Sequence, residues 1–183
     1  MPQQIQIVPN TPPTAAEPGK FSPQAASSFN GDSITWFNGD SQDHWPAPSA
    51  ADKSAWVKQV IKPGTPGNGS VSPAPYTTTA TAASSANPAV LTVGTPSPNQ
   101  GQIVNLSYSG NDANWKAAVK AVPPGSVITA LGGNQYTVAG LNGQGLAPFT
   151  GSITITMPYT LNYVCALHPA ETGSISVQVN PLP

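Results

Sequence analysis

The stretch Asn162-Tyr163-Val164-Cys165-Ala166-Leu167-His168-Pro169-Ala170-Glu171-Thr172-Gly173-Ser174-Ile175-Ser176-Val177 decides how the rest of the chain is read. In its second half Ile175, Val177 and Val179 alternate with Ser and Gln, the pattern of a strand buried on one face. Before that strand, and after Leu161 to Val164, a short loop carries Cys165, His168 and Glu171, three potential ligands at intervals of three. A continuous strand would send residues at odd spacing to opposite faces, whereas a loop of this length can turn all three inward around one ion.

Cys165 is the single cysteine of the chain, so an internal disulfide framework is excluded. Three readings remain for it: buried filler, reactive thiol or metal ligand. The chain has two histidines, and His168 follows the cysteine by three positions; the other is His44. A trigonal set of His44, Cys165 and His168 with a weak fourth group suits copper in electron transfer. With Glu171 added, the four donors also suit tetrahedral zinc or a non-blue copper site.

His44 lies just beyond a second informative stretch. Ser33-Ile34-Thr35-Trp36-Phe37 is β-branched and aromatic, follows the turn signal Asn30-Gly31-Asp32, and is broken by Asn38-Gly39-Asp40. This predicts a core strand with residues 41–44 in the loop at its end.

At these two places the sequence resembles the cupredoxins, in particular the small blue copper proteins of the plastocyanin and amicyanin type. The first matching block is Phe21-Ser22-Pro23, then Gly31-Asp32-Ser33-Ile34-Thr35-Trp36-Phe37-Asn38 and His44. The second is Asn162-Tyr163-Val164-Cys165-Ala166-Leu167-His168-Pro169, then Gly173-Ser174-Ile175-Ser176-Val177. The blocks cover roughly a third of the chain. The resemblance implies a Greek-key β-sandwich, one copper held by His44, Cys165 and His168, and single-electron transfer; separately, an enzyme is not expected, because the sequence offers no second metal cluster and no spare histidine as acid or base. It further implies a periplasmic or extracellular setting and transient docking of a redox partner protein around the edge of His168, where Leu167, Pro169 and Ala170 offer an uncharged patch; the same three residues equally read as ordinary loop composition.

Two departures bear on that expectation. Short-loop members of the family put methionine three residues after the second histidine, where this chain has Glu171. As a ligand, a carboxylate is harder and charged, favours Cu(II), lowers the potential and moves the site away from blue character. As a solvated loop residue, it leaves the axial position empty or filled by a carbonyl such as that of Asp43. The second departure is length: about 120 residues separate His44 from Cys165, far more than compact members have. This defines an insertion at about 45–145 within a single domain over 21–183, preceded by a strand and proline-rich arm over 1–20. A reading from another class follows from the insertion: an extracellular structural or interaction module with a cupredoxin sandwich and a vestigial metal loop.

Outside the two blocks the pattern is of short strands. Ile5-Gln6-Ile7-Val8, followed by Pro9, Pro12, Pro13 and Pro18, reads as an edge strand, because proline donates no ladder hydrogen bond. From Ser49 to Lys62, Trp56, Val57, Val60 and Ile61 share a helical face, and Ser49 with Asp52 resembles a capping box, predicting a helix stopped by Pro63-Gly64. Residues 65–99 are mostly Pro, Thr, Ala, Ser and Gly, and read as a surface insertion apart from the strand-like Ala89 to Val93. Residues 103–108 and the alternating Ile153, Ile155 and Met157 read as strands, as do 127–129 and 136–138, and 112–122 as a short helix. The whole predicts an all-β sandwich with one or two inserted short helices. Trp36, Trp56 and Trp115 are expected in the core, and Trp45 either shields the metal or packs under the first helix. Asp40, Asp43 and Asp112 read as turn and capping residues.

Composition closes off other classes. The chain is 183 residues long with net charge -1, and only 7% of residues are charged. All six basic residues are lysine, so no cationic footprint for nucleic acid or anionic lipid exists. No apolar run approaches the ~20 residues of a membrane span. Gly140 to Gly145 lacks the flanking strand, helix and lysine of a phosphate loop, and no Ser/His/Asp set survives once both histidines are assigned to a metal.

Overall fold

The computed structural model describes residues 3–83 and 86–180. Contacts divide the chain into two compact units, Met1–Ala74 with Tyr159–Gln178, and Pro75–Pro158 with Val179–Pro183. The first unit takes β1 (Gln3–Pro9), β2 (Gly19–Ser22), β3 (Ala25–Phe29), β4 (Ile34–Asn38) and β5 (Pro46–Ala47) from the front of the chain. The second holds β6 (Tyr76–Ala83), β7 (Val90–Val93), β8 (Asn105–Ser109), α1 (Ala113–Lys120), β9 (Ile128–Gly132), β10 (Gln135–Val138) and β11 (Ser152–Met157). The chain then returns to the first unit as β12 (Tyr159–Cys165) and β13 (Thr172–Gln178). Residues 45–74, expected inside the insertion, belong to the first unit.

The first unit is a β-sandwich. One sheet runs β2-β1-β4 and the other β3-β13-β12-β5. Ile5, Ile7, Phe21, Ile34 and Trp36 from one sheet and Ala26, Tyr163, Cys165, Ile175 and Val177 from the other are buried together in one core. The predicted alternation on β13 is realised, with Ile175 and Val177 inward. Each sheet combines an antiparallel pair of consecutive strands, β1 with β2 and β12 with β13, with a parallel pair of non-consecutive ones, β1 with β4 and β3 with β13, so each needs a crossover as well as a direct connection. β1 lies between β2 and β4 and is therefore not the expected edge strand. Its only proline is the last residue, Pro9, so the ladder over Gln3 to Val8 loses no donor.

The predicted helix over 49–62 is absent. Val57 and Ile61 are buried as its apolar face requires, yet their backbone groups bond elsewhere. Ile61 N donates to His44 O at 2.8 Å, Lys58 N to Asn68 O at 3.0 Å, and the indole of Trp45 to Val57 O at 2.8 Å. Those partners replace the i→i−4 bonds a helix would need, so tertiary pairing overrides the weak helical period. Trp36 is fully buried and stacks on the half-buried Trp56, with ring centroids 5.7 Å apart.

The second unit is a six-stranded sheet, β8-β11-β6-β7-β10-β9, with α1 beside it. Its core contains Leu91, Val104, Trp115, Val119, Ile128, Ile153 and Ile155. α1 starts where expected, with the Asp112 side chain accepting from the backbone of Asn114 and Trp115. β6, however, runs through the stretch read as surface loop. It lies between β11 and β7, so its backbone is laddered on both sides.

Candidate metal centre

The geometry of the centre begins with how the two loops are held. The chain leaves β4 at Asn38, turns through 39–43, and re-enters as β5, which pairs with the end of β12 through Val164 with Ala47 and Cys165 with Pro46. Ala166 N donates to Trp45 O at 2.8 Å, and His44 exchanges two backbone hydrogen bonds with Ile61. His44 is thus pinned on both sides beside the thiol. The Trp45 amide points at the sulfur, 3.4 Å from Cys165 Sγ. Trp45 therefore packs through its indole on Val57 and contacts the site through its backbone; no helix lies over it.

The other loop converts its interval of three into turns. His168 N donates to Cys165 O at 3.1 Å and Glu171 N to His168 O at 2.9 Å, while Cys165 N closes the loop on Glu171 O at 2.9 Å. Two successive turns of this kind bring the side chains of Cys165, His168 and Glu171 together.

The four residues named from the sequence, His44, Cys165, His168 and Glu171, meet: one donor atom from each lies within 4.8 Å of all the others. Cys165 Sγ is 3.7 Å from His44 Nδ1 and 3.6 Å from His168 Nδ1. Glu171 spans both imidazoles, with Oε2 at 2.9 Å from His44 Nδ1 and Oε1 at 3.8 Å from His168 Nδ1. An ion bonded at about 2.3 Å to sulfur and about 2.05 Å to nitrogen in a tetrahedron sets a sulfur–nitrogen edge of about 3.6 Å. The sulfur–nitrogen spacings match that edge, and the donor set of thiol, two imidazoles and carboxylate fits a borderline metal such as zinc or copper.

Burial is uneven. The side chains of His44 and Glu171 are fully buried, whereas that of His168 is 20% exposed. Leu167, Pro169 and Ala170 are exposed beside it. Glu171 is therefore not the solvated loop carboxylate that the sequence left open.

Three neighbours escaped the sequence reading. Asp40, read as a turn residue, is buried with its Oδ2 at 2.9 Å from His44 Nε2, on the ring edge opposite the thiol. Its position four residues before His44 was the available signal. Gly19 is the second. Its amide donates to Glu171 Oε1 at 2.8 Å, and a Cβ there would stand 2.8 Å from His44 Cε1. The third, Asn38, is fully buried, and its side chain holds the turn by donating to Gln42 O and Ile61 O and accepting from Asp40 N. Asp43 by contrast is a surface partner of Lys62.

His44 thus sits between two carboxylates. Burial disfavours its charged form, but hydrogen bonds with Cys165, Glu171 and Asp40 and the charge of Glu171 outweigh burial, and the pKa is pushed up to about 10. Each ring nitrogen of His44 faces a carboxylate oxygen at 2.9 Å, Nδ1 that of Glu171 and Nε2 that of Asp40.

Among the described residues no helix is long and apolar enough to cross a membrane. No protein-family model matches the chain, and no curated protein matches it.

Proposed function

We propose that the protein is a cupredoxin-like carrier that holds one copper ion between His44, Cys165, His168 and Glu171 and passes single electrons in a periplasmic or extracellular setting. The observation that carries this reading is the approach of two imidazole Nδ1 atoms to one buried sulfur, at 3.7 and 3.6 Å, from loops 121 and 3 residues away in sequence. Convergence of the whole donor set argues against a vestigial loop.

When bound, copper would supply a one-electron couple and the thiolate a strongly covalent bond to it. The protein's own part is to hold the donors still. His44 and Glu171 are buried and clamped by backbone bonds on both sides, so little rearrangement need accompany a change in oxidation state. His168 alone among the donors reaches solvent. Its edge, with Leu167, Pro169 and Ala170 around it, forms an uncharged exit suited to brief docking of a redox partner protein. Both histidines are committed to the metal, which leaves no imidazole as an acid or base and favours a carrier over an enzyme.

A second reading has its own observation. The buried Glu171 completes a four-donor set carrying two negative charges, which equally suits Zn(II) or a non-blue copper centre. One experiment separates the readings. Metal-free protein is mixed with Cu(II) or Zn(II), and metal content and the visible spectrum are recorded. The carrier reading expects one copper per chain, an intense thiolate-to-copper band that Cys165→Ala abolishes, and reversible reduction. Preferential zinc uptake with redox-silent copper supports the second reading, and failure to take up either ion sinks both.

A further inference from the structure

We infer that Asp40 is a positioning residue that locks the His44 ring with Nδ1 toward the sulfur and biases the centre toward a divalent ion. This rests on the metal-site reading above.

The Asp40 carboxylate touches no donor atom of the cluster. It meets His44 only at Nε2, 2.9 Å away, with both side chains almost completely buried. An imidazole that gives its Nε2–H to a carboxylate presents the lone pair of Nδ1 on its other edge, in one tautomer and one orientation. The carboxylate is itself held. Asp40 N bonds Asn38 Oδ1, and the Asn38 amide ties the same turn to Gln42 O and Ile61 O. Gly19 leaves room for the pair: a Cβ there would be 3.0 Å from His44 Nε2 and 3.2 Å from Asp40 Oδ2.

Charge gives the second half of the argument. With Nδ1 given to a metal, His44 would be neutral, Cys165 and Glu171 would supply a thiolate and a carboxylate as donors, and the Asp40 carboxylate would stand behind the ring at Nε2. Every charged group contributed to this cluster is negative, and burial leaves their charge poorly screened. Such a surrounding stabilises a dication over a monocation. A carboxylate on the far nitrogen also makes imidazole a stronger donor.

The test compares wild type, Asp40→Asn and Asp40→Ala for affinity toward Zn(II) and Cu(I), with the His44 Nε2–H followed by nitrogen-15 NMR. Asparagine keeps an acceptor without the charge, and it serves as the folded control if alanine unfolds the loop. The expected result is a loss of Zn(II) affinity of about 10-fold to 100-fold in Asp40→Ala, less in Asp40→Asn, with a smaller loss for Cu(I) in both. The slowly exchanging Nε2–H should be present in wild type and lost in Asp40→Ala. Variants with an unchanged Zn(II)-to-Cu(I) ratio and an unchanged Nε2–H signal, whatever their thermal stability, overturn this inference alone. Wild type that binds neither ion overturns the metal reading and this inference with it.

Discussion

Glu171 Oε2 lies 2.9 Å from Nδ1 of His44, a residue 127 positions away, in a place closed to solvent. That contact joins the two loops of the centre and puts a carboxylate oxygen against the His44 ring, beside the Cys165 sulfur.

Replacing that oxygen should retune the centre. In copper-loaded protein, Glu171→Met is expected to raise the reduction potential and strengthen the thiolate charge-transfer band, because a soft neutral donor stabilises Cu(I) better than a carboxylate does. Voltammetry and the visible spectrum check this. A potential that falls, or stays unchanged, would show that Glu171 does not set it.

The same contact gives the metal-free protein a pH dependence. His44 gains partners on folding, and its pKa rises from an ordinary 6.5 to about 10. A raised pKa means the folded state binds the proton more tightly than the unfolded chain does. The resulting stabilisation is complete below about pH 6.5 and is lost as pH climbs toward 10. Thermal unfolding of apo-protein should therefore show a Tm that declines between these limits. His44→Gln should flatten this slope.

Gly19→Ala tests the close approach of backbone to the ring. The added methyl would meet His44 Cε1 at 2.8 Å and Asp40 Oδ2 at 3.2 Å, and a methyl forced into a packed core costs about 1–3 kcal/mol. Metal affinity should fall along with stability, since the same residue's amide holds Glu171. Retained affinity at unchanged Tm would mean the loop yields freely.

Tyr163 offers a contrasting case. Its hydroxyl is buried and makes no hydrogen bond of good geometry; burial pushes its phenol pKa up, opposed only by a poorly formed hydrogen bond with the Trp36 indole. Removing a poorly satisfied buried hydroxyl while keeping the ring relieves a desolvation cost of up to about 1–3 kcal/mol. Tyr163→Phe is thus expected to unfold at the same denaturant concentration as wild type or a higher one. A clear loss of stability would reveal a hydrogen bond that matters.

The divide between what was legible and what was not follows physical lines. β4 and β13 were readable because alternation is a local pattern that burial on one face enforces. β6 was not, because its Thr and Ala side chains carry little apolar signal; its place comes from the strands that ladder it on either side. The stretch 49–62 misled in the opposite way. Its spacing of apolar residues was correct for burial, but which backbone groups pair is decided by what else packs nearby.

The centre divides similarly. Rarity in the chain made the donors readable: one cysteine and two histidines, with Cys165, His168 and Glu171 at a spacing that a looped chain can gather. By itself, then, the amino-acid order determined an all-β chain and the identity of the four residues whose side chains could hold a metal ion. Only the tertiary structure decided that Glu171 is buried against His44, that Asp40 backs the ring, and that Gly19 makes room for both. These are contacts between residues whose chemical types are common and whose separations in sequence carry no periodicity. Their distances exist only once two sheets have closed over a shared core.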